Sequence, residues 1–546
     1  MRKLSRRAGI ALALVLAAAT LLGATTGVEA QPAPPPCVDD APCLLTAGLP
    51  GADVMEHQVS PDGRWAVLFH AVNDGRFEAH IYGVPVRGGP PVRLDNANVV
   101  QLGRVMVSPD STRVVYEAQV ESAGPWHLFS VPIQGPAAAS RRIANDISPL
   151  GGLGVETRIS PDSRLVVFTP ANRDRLRVVP IAGPANAGAR LTDAFVPDGT
   201  VSQFHISADS RDVVYRATQD SAAAELYRVP LTPTPDPDPP TTKLNGPLAG
   251  GGGVRVFSLA PNNGRVVYLA NEVRADTFEL FSVTLGGGGR TKVNAPLPAF
   301  YDVVSPSDGR PIPAGITPDG TRVVYETVLV LDDLFDHRLY SAPIAGPGSS
   351  AVRLDDEAVT DPDADEVRYV ISGDSKRVVH WMQRRASNGP APEANWLFSV
   401  PVAGPASAGF ALAEPRPRPF TFTVSPDGRR VVWELFTAND AFLYSTPAAG
   451  PARDRQVIDG PEDPRTVTVS PDSTRVLYRT TAAAGADLSS TAITGAGAPR
   501  RLTEGAGFAA IDPRYTVTSD GRDQMVVFAA EEETRGGFHL YSLPID

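Results

Sequence analysis

Val424-Ser425-Pro426-Asp427-Gly428-Arg429-Arg430-Val431-Val432-Trp433 reads as the end of one strand, a tight turn and the start of a second, and the chain repeats this pattern ten times. The Ser-like position recurs at Ser60, Ser108, Ser160, Ser207, Ala260, Thr317, Ser372, Ser425, Ser470 and Thr518, with a period of 45 to 57 residues. Such periods belong to propellers, arrays and solenoids. The residue before the Ser-like position is aliphatic in all ten copies, from Val59 to Val517, as a buried strand requires. Most copies continue with Asp-Gly, Asp-Ser or Asn-Gly, which accept the backbone angles of a hairpin turn at little cost. The second strand ends in a bulky ring: Phe69, Tyr116, Phe168, Tyr215, Tyr268, Tyr325, His380, Trp433, Tyr478 and Phe528.

A third strand follows a variable loop, as in Leu128-Phe129-Ser130-Val131-Pro132 and Leu443-Tyr444-Ser445-Thr446-Pro447, and its proline ends it. A Gly/Pro-rich turn leads to a short fourth strand such as Val352-Arg353-Leu354, Arg142-Ile143 or Arg501-Leu502-Thr503. Four strands per repeat and no helical periodicity beyond the N-terminus give an all-β chain, a β-propeller of four-stranded blades. One closed ring of ten blades is expected, with two smaller propellers as the alternative.

The Ser-Pro-Asp-Gly-Arg hairpin, the aliphatic-aliphatic-aromatic strand after it and the Leu-Tyr-Ser-Val-Pro strand resemble the propeller repeats of the periplasmic TolB family. These Pro-Asp, WD40-like repeats also occur in tricorn-type and prolyl-oligopeptidase-type propellers. The resemblance runs from about Cys43 to Asp546 and implies fold more than function, because one fold hosts many activities. Ten repeats with no separate α/β domain before them depart from the TolB pattern.

The N-terminus reads as a secretory signal peptide over residues 1–30: Arg2, Lys3, Arg6 and Arg7, an apolar run from Ala8 to about Gly23, and the small-residue site Val28-Glu29-Ala30. An uncleaved anchor is the alternative, and Ser5-Arg6-Arg7 leaves the export route open. Cleavage removes four basic residues and one acidic one and moves the formal charge from -11 to -14. An acidic mature chain with no remaining span argues for an exported, periplasmic or extracellular monomer and against a nucleic-acid partner. Residues 31–42 form a Pro-rich arm, and residues 43–546 carry the repeats. Cys37 and Cys43, the two cysteines, are a disulfide candidate in an exported chain. Ala41–Gly48 parallels Ala498–Gly505, the fourth strand of repeat nine. Repeat ten stops at Leu540-Tyr541-Ser542-Leu543-Pro544, so the N-terminal segment is expected to supply its missing strand. The Pro/Asp-rich stretch Thr232–Pro240 reads as a surface loop inside repeat four.

Function is expected on the face bearing the variable second-to-third-strand loops and the repeat-joining loops. The most acidic of these is Asp355-Asp356-Glu357 with Asp361, Asp363, Asp365 and Glu366. Asp361, Asp363 and Asp365 alternate as calcium ligands do, but the glycine and closing glutamate of a calcium loop are absent, so a solvated loop is the alternative. No other cofactor is expected. His205 and Arg158 fall one residue before the aliphatic position of two first strands and are the channel candidates. His80, His127 and His539 occupy equivalent third-strand positions on neighbouring blades. Sheets ~10 Å apart cannot bring them to the ~2 Å of a shared metal. His380 at a ring position reads as a packed histidine. No G-x-S-x-G elbow is present, and no catalytic residues are assigned. The expected function is a binding or protein-interaction module with a protein or glycan partner; the alternative is a channel-centred lyase or hydrolase acting on polysaccharide or peptide.

Overall fold

The computed structural model describes residues 41–545 except 50–51, 74–76, 97, 148–156, 193–194, 233–239, 299–300, 305–313, 330–336, 356–363, 385–393, 414–420, 437–440, 451, 461–463, 483–484 and 533–536. Residues 1–40, with the expected signal peptide, most of the arm and Cys37, lie outside this set, as do residues 233–239 of the Pro/Asp-rich stretch. Each repeat is one antiparallel sheet whose strands pair in chain order. Blade 2 is representative: Gln101–Val107, Arg113–Gln119, Trp126–Pro132 and Arg141–Ile147. Blade 1 begins the series with Ala52–Val59, Trp65–Asn73, Phe77–Pro85 and Val92–Arg93. Blade 10 comprises Phe508–Ile511 with Thr516–Ser519, then Gln524–Glu532 and Phe538–Pro544, and its fourth strand is Cys43–Leu44. That strand pairs antiparallel to Phe538–Pro544 with Cys43 opposite Ser542 and Leu44 opposite Tyr541.

The core lies between blades rather than within them, and the period of two along the second strand dictates how it is shared. In blade 4, Val213 and Tyr215 pack toward blade 3 while Val214 packs toward blade 5. In blade 8, Val431 and Trp433 pack toward blade 7 while Val432 packs toward blade 9. Ten such apolar layers join ten blades. The last sets Leu45, Val527, Ala529 and Leu540 of blade 10 against Val54, Ala66, Leu68 and Val84 of blade 1. No blade is left with an unpacked face, so the fold is one ten-bladed ring and not two smaller propellers. In blade 1 the register corrects one residue: the ring position belongs to Leu68, which is fully buried, while Phe69 lies one residue on and faces blade 2.

The hairpin motif has a physical reason for each residue. In blades 1–4 and 6–9 the Ser or Thr hydroxyl donates to the Asp carboxylate two residues on, at 2.6–2.7 Å. The same oxygen accepts the backbone N–H five residues on, as from Trp65 at 3.0 Å and Arg113 at 2.9 Å. The residue after the Asp takes a left-handed backbone, which glycine adopts freely. Where it is Ser it has a further use. Ser111, Ser163, Ser375 and Ser473 hold φ near +60° and accept the Asp N–H of the preceding blade's hairpin at 2.9–3.0 Å. In blade 5 the left-handed residue is Asn263, not Gly264, and its side chain accepts the Ala208 N–H at 2.7 Å. Gly63 in blade 1 has no alternative, because a Cβ there would stand 2.1 Å from the Ser519 carbonyl oxygen of blade 10.

Two more residue pairs recur within blades. The arginine opening the second strand donates through Nε to the buried third-strand serine: Arg113 to Ser130, Arg322 to Ser341, Arg377 to Ser399 and Arg430 to Ser445, at 2.7–2.9 Å. The fourth strand is only two residues long in most blades, because the next residue turns a Leu or Val into the core and the one after caps the third strand. Asp95, Asn245, Asn294 and Asp355 accept the N–H of Ile81, Leu226, Leu280 and Leu339 at 2.8–2.9 Å.

Blade 4 reverses the Arg/Ser pair: Asp212 opens its second strand and Arg228 stands at the serine position, joined at 2.6–2.8 Å. Asp212→Arg alone is expected to destabilise by on the order of 3 kcal/mol, since it removes a partly buried carboxylate and places a second cation beside Arg228. Asp212→Arg with Arg228→Ser recreates the pair used by blades 2, 6, 7 and 8 and is expected to recover most of the loss. Urea unfolding of both variants checks this, and a double variant no better than the single one would show that the two positions are not coupled.

Candidate functional site

The two faces of the ring differ in what they leave available. On the hairpin face the Ser hydroxyl, the Asp carboxylate and the Asp N–H are consumed within and between hairpins. On the opposite face lie the second-to-third-strand loops and the repeat-joining loops.

Where the ring closes, three side chains join the hairpin faces of blades 1 and 10. The hairpin of blade 10 is two residues longer than the others, since Thr518 pairs with Met525 whereas Ser108 lies five residues before Arg113. The extra turn brings Asp520 and Asp523 onto the Arg87 guanidinium of blade 1. Arg87 holds the Asp520 carboxyl well below the usual carboxylate range.

The first strand of blade 10 is also broken, at Asp512-Pro513-Arg514-Tyr515, and the break borders a cavity at the ring's seam. A cavity of about 150 Å³ lies between the first strands of blades 1 and 10, walled by Glu56, His57, Asp512, Arg514 and Tyr515 among others. Arg514 forks onto Asp512, with Nε at 3.0 Å and Nη2 at 2.7 Å, so this pair is neutral as a unit. The Tyr515 hydroxyl is spent on the backbone of blade 9, donating to the Thr466 and Leu477 carbonyls. Burial holds the His57 imidazole below its usual pKa, against the opposing pull of the Val527 carbonyl and Asp512. His57 is therefore neutral at neutral pH, and its buried Nε2 has no hydrogen-bond partner. A neutral imidazole with an open lone pair can accept a proton or a hydrogen bond. The space is about half the lower bound of a small-molecule pocket, ~300 Å³, and holds a few waters at ~30 Å³ each.

Arg158 and His205, the sequence candidates, lie on blades 3 and 4 near enough for the Arg158 charge to act on the imidazole, and each is packed against an aromatic ring. The His205 ring meets Phe257 edge-on at 5.2 Å, and its Nε2 lies 3.1 Å from the Gln203 amide. The Arg158 guanidinium sits 5.9 Å from the Phe204 ring centroid. Burial, with Arg158 adding to it, pushes the His205 imidazole down to about 4. Gln203 also donates to the Phe257 carbonyl at 3.2 Å, and Gln58 accepts the Val107 N–H at 3.2 Å. These glutamines use their amides to satisfy the first strand of the next blade.

Asp361 and Asp363 lie outside the described residues. Asp365 falls in the strand Ala364–Ile371, and its side chain is not among those described. Among the described residues no group of three or more His, Cys, Asp or Glu is placed to hold a metal ion. Asp355 corrects the acidic-loop reading. It is 1% exposed, caps the Leu339 N–H at 2.9 Å and pairs with Arg353 at 2.7 Å, so it belongs to the blade and not to the solvated loop. Cys43 is disulfide-bonded; Cys37 lies outside the described residues.

The equivalent histidines face the preceding blade, each in its own layer. His80 lies 3.1 Å from Asp95, His539 lies 3.2 Å from Thr46, and His127 meets Phe129 edge-on. His380 is stacked on Phe398 at 5.4 Å. His57 escaped sequence reading because its neighbours come from the far end of the chain. The one local signal was Pro513, which interrupts a first strand.

The fold defines the class of protein: a ten-bladed β-propeller of four-stranded antiparallel blades. No protein-family model matches the chain, and no curated protein matches it. Among solved structures it is similar to a protein described as a "putative TolB" of Agrobacterium tumefaciens, at 16% identity over 44% of this chain and 79% of that one, with a TM-score of 0.27. An oligogalacturonate lyase in complex with manganese matches at 12% identity over 72% of this chain and 99% of that one, with a TM-score of 0.32. Oligopeptidase B from Leishmania major matches at 12% identity over 72% and 54%, with a TM-score of 0.39, so the chain spans about half of that enzyme. The likeness is one of fold.

Proposed function

We propose that this propeller is an exported binding module of the cell envelope or extracellular space, monomeric, with its partner on the variable-loop face. The observation that carries this reading is the asymmetry of the faces: the hairpin face spends its polar groups on near-identical turns, while the loops of the opposite face differ in length and sequence from repeat to repeat. The basic and apolar start of the sequence supports export. No helix among the described residues is long and apolar enough to cross a membrane. The acidic chain suits a cationic protein or a calcium-bridged glycan and does not suit nucleic acid.

The test is capture of partners from a native envelope fraction on the full chain, at two salt concentrations, with and without calcium. Asp361→Asn, Asp363→Asn and Asp365→Asn combined are expected to weaken capture while leaving stability within about 0.5 kcal/mol. Arg164→Ala and Arg211→Ala on the hairpin face are expected to leave capture unchanged. Equal capture by the loop triple variant in every condition removes the acidic loop from the site.

A second reading, a channel-centred lyase or hydrolase, is favoured by one observation, the unpartnered Nε2 of His57 in the seam cavity. His57→Gln separates the two readings: loss of turnover on a polysaccharide or peptide panel with partner capture intact supports the enzyme.

A further inference from the structure

A second cavity, of about 550 Å³, opens on the loop face at the outer groove between blades 2 and 3. Its wall includes Asp146 from the end of blade 2 and Asn172, Asp174, Arg175, Arg177 and Arg190 from blade 3. Arg177 and Arg190 are Cα partners on the third and fourth strands of blade 3, so their side chains leave the same face of the sheet. Like charges directly opposite one another in a sheet are destabilising. Neither guanidinium has a hydrogen bond or ion pair among the described residues, and the Arg177 Nε is buried without a partner. The adjacent Asp174 is already taken by Arg175, at 2.6 and 2.8 Å. Two residues at this groove, Asp146 and Arg173, also hold left-handed backbones, with φ of 52° and 56°.

We propose that Arg177 and Arg190 form the anion-binding half of a subsite for a hydroxylated organic acid, a sugar acid taken either free or as a uronate of a glycan. Two unpaired guanidiniums are built to fork onto a carboxylate. Three arginines and two carboxylates give the cavity walls one net positive charge, which matches a monoanion better than a phosphate dianion. The carboxylate of Asp146 and the amide of Asn172 supply acceptors and donors for hydroxyl groups. The volume falls in the ~300–1,000 Å³ range of small-molecule pockets. This subsite shares a face with the binding reading above but none of its acidic-loop residues, so either can fail without the other.

The experiment is calorimetric titration of the full chain with sodium glucuronate, against glucose, acetate and inorganic phosphate. Glucuronate is expected to bind, more weakly as salt rises, and glucose not to bind. Arg177→Gln and Arg190→Gln are each expected to weaken it about tenfold or more, as loss of a charged hydrogen bond does. Arg164→Gln, exposed on the hairpin face, is expected to leave it unchanged. Arg190 is exposed, so its variant folds, and the unliganded Arg190→Gln protein is expected to melt no lower than wild type, since relief of like charge favours the sheet. A uronate oligomer binding more tightly than the monomer identifies a glycan, and equal affinity identifies the free acid. The proposal is overturned if glucuronate does not bind, if phosphate binds as well, if both variants bind like wild type, or if Arg190→Gln lowers the melting temperature as a structural arginine would.

Discussion

A chain lacking residues 31–49 is expected to melt far below the full-length protein and to aggregate as it does. Cys43–Leu44 is the fourth strand of blade 10, and the Leu45 N–H that follows donates to the Leu540 carbonyl at 2.8 Å. Leu45 is fully buried in the layer that joins blade 10 to blade 1. Without this segment Phe538–Pro544 becomes an open edge with unpaired backbone groups, the usual template for association between chains. The Leu45 side chain alone is worth about 2–5 kcal/mol if cut to alanine. Thermal melts with light scattering on the deletion and on Leu45→Ala check this. A deletion that leaves both the midpoint and the scattering unchanged means that the seam holds without its N-terminal strand.

The protein is also expected to lose stability steeply between pH 6.5 and about pH 4. His205 and His380 are pushed down to about 4, largely by burial, and burial lowers His57, His70 and His127 as well. The folded-state pKa lies below the unfolded one, so the unfolded chain takes up the proton first as the pH falls. Stability is therefore fully present above about 6.5 and is lost progressively until each imidazole protonates in place. For His380 the expected loss over this window is on the order of 3 kcal/mol. His380→Phe places at that position the ring used at Phe168 and Phe528, and it should flatten the profile by that amount. Urea midpoints at several pH values decide it, and a variant whose profile parallels wild type would falsify the assignment. The carboxylates held low by partners, Asp512 and Asp520, act in a different window: their contribution is present above about 3.8 and is lost below it.

Much of this was legible because the repeat is local. Ser425-Pro426-Asp427-Gly428 sets its own turn, and the Val-Val-aromatic run after it carries the alternation that packs toward both neighbouring blades. What escaped depends on contacts between distant residues. Ser111 reads as a tolerated turn residue, yet its hydroxyl meets the Asp62 N–H from 49 residues away. Asp355 reads as the start of an acidic loop because charge runs show in sequence and capping does not. Leu68 and Phe69 differ only in which face they take, and an aromatic next to an aliphatic hides the register. The seam cavity is assembled from the two ends of the repeat array, with Glu56 and His57 in its first strand and Asp512 to Tyr515 near its last, and no local pattern joins them.

The hairpin links have a consequence for how such a ring changes size. Each runs one way, from a hairpin N–H of one blade to the Ser or Asn side chain of the next, and blades 2 and 3 carry both halves of this head-to-tail joint. A joint of this kind fixes neighbours and not number, and closes wherever the accumulated rotation returns to its start. A whole repeat gained or lost between blades 2 and 4 would meet the same donor and acceptor on either side. The junction of Arg87 with Asp520 and Asp523, by contrast, is made to measure. A circle with a run of interchangeable parts and a bespoke clasp can grow or shrink by duplication within that run, and its ancestry is to be sought in the shorter and longer rings it could have been.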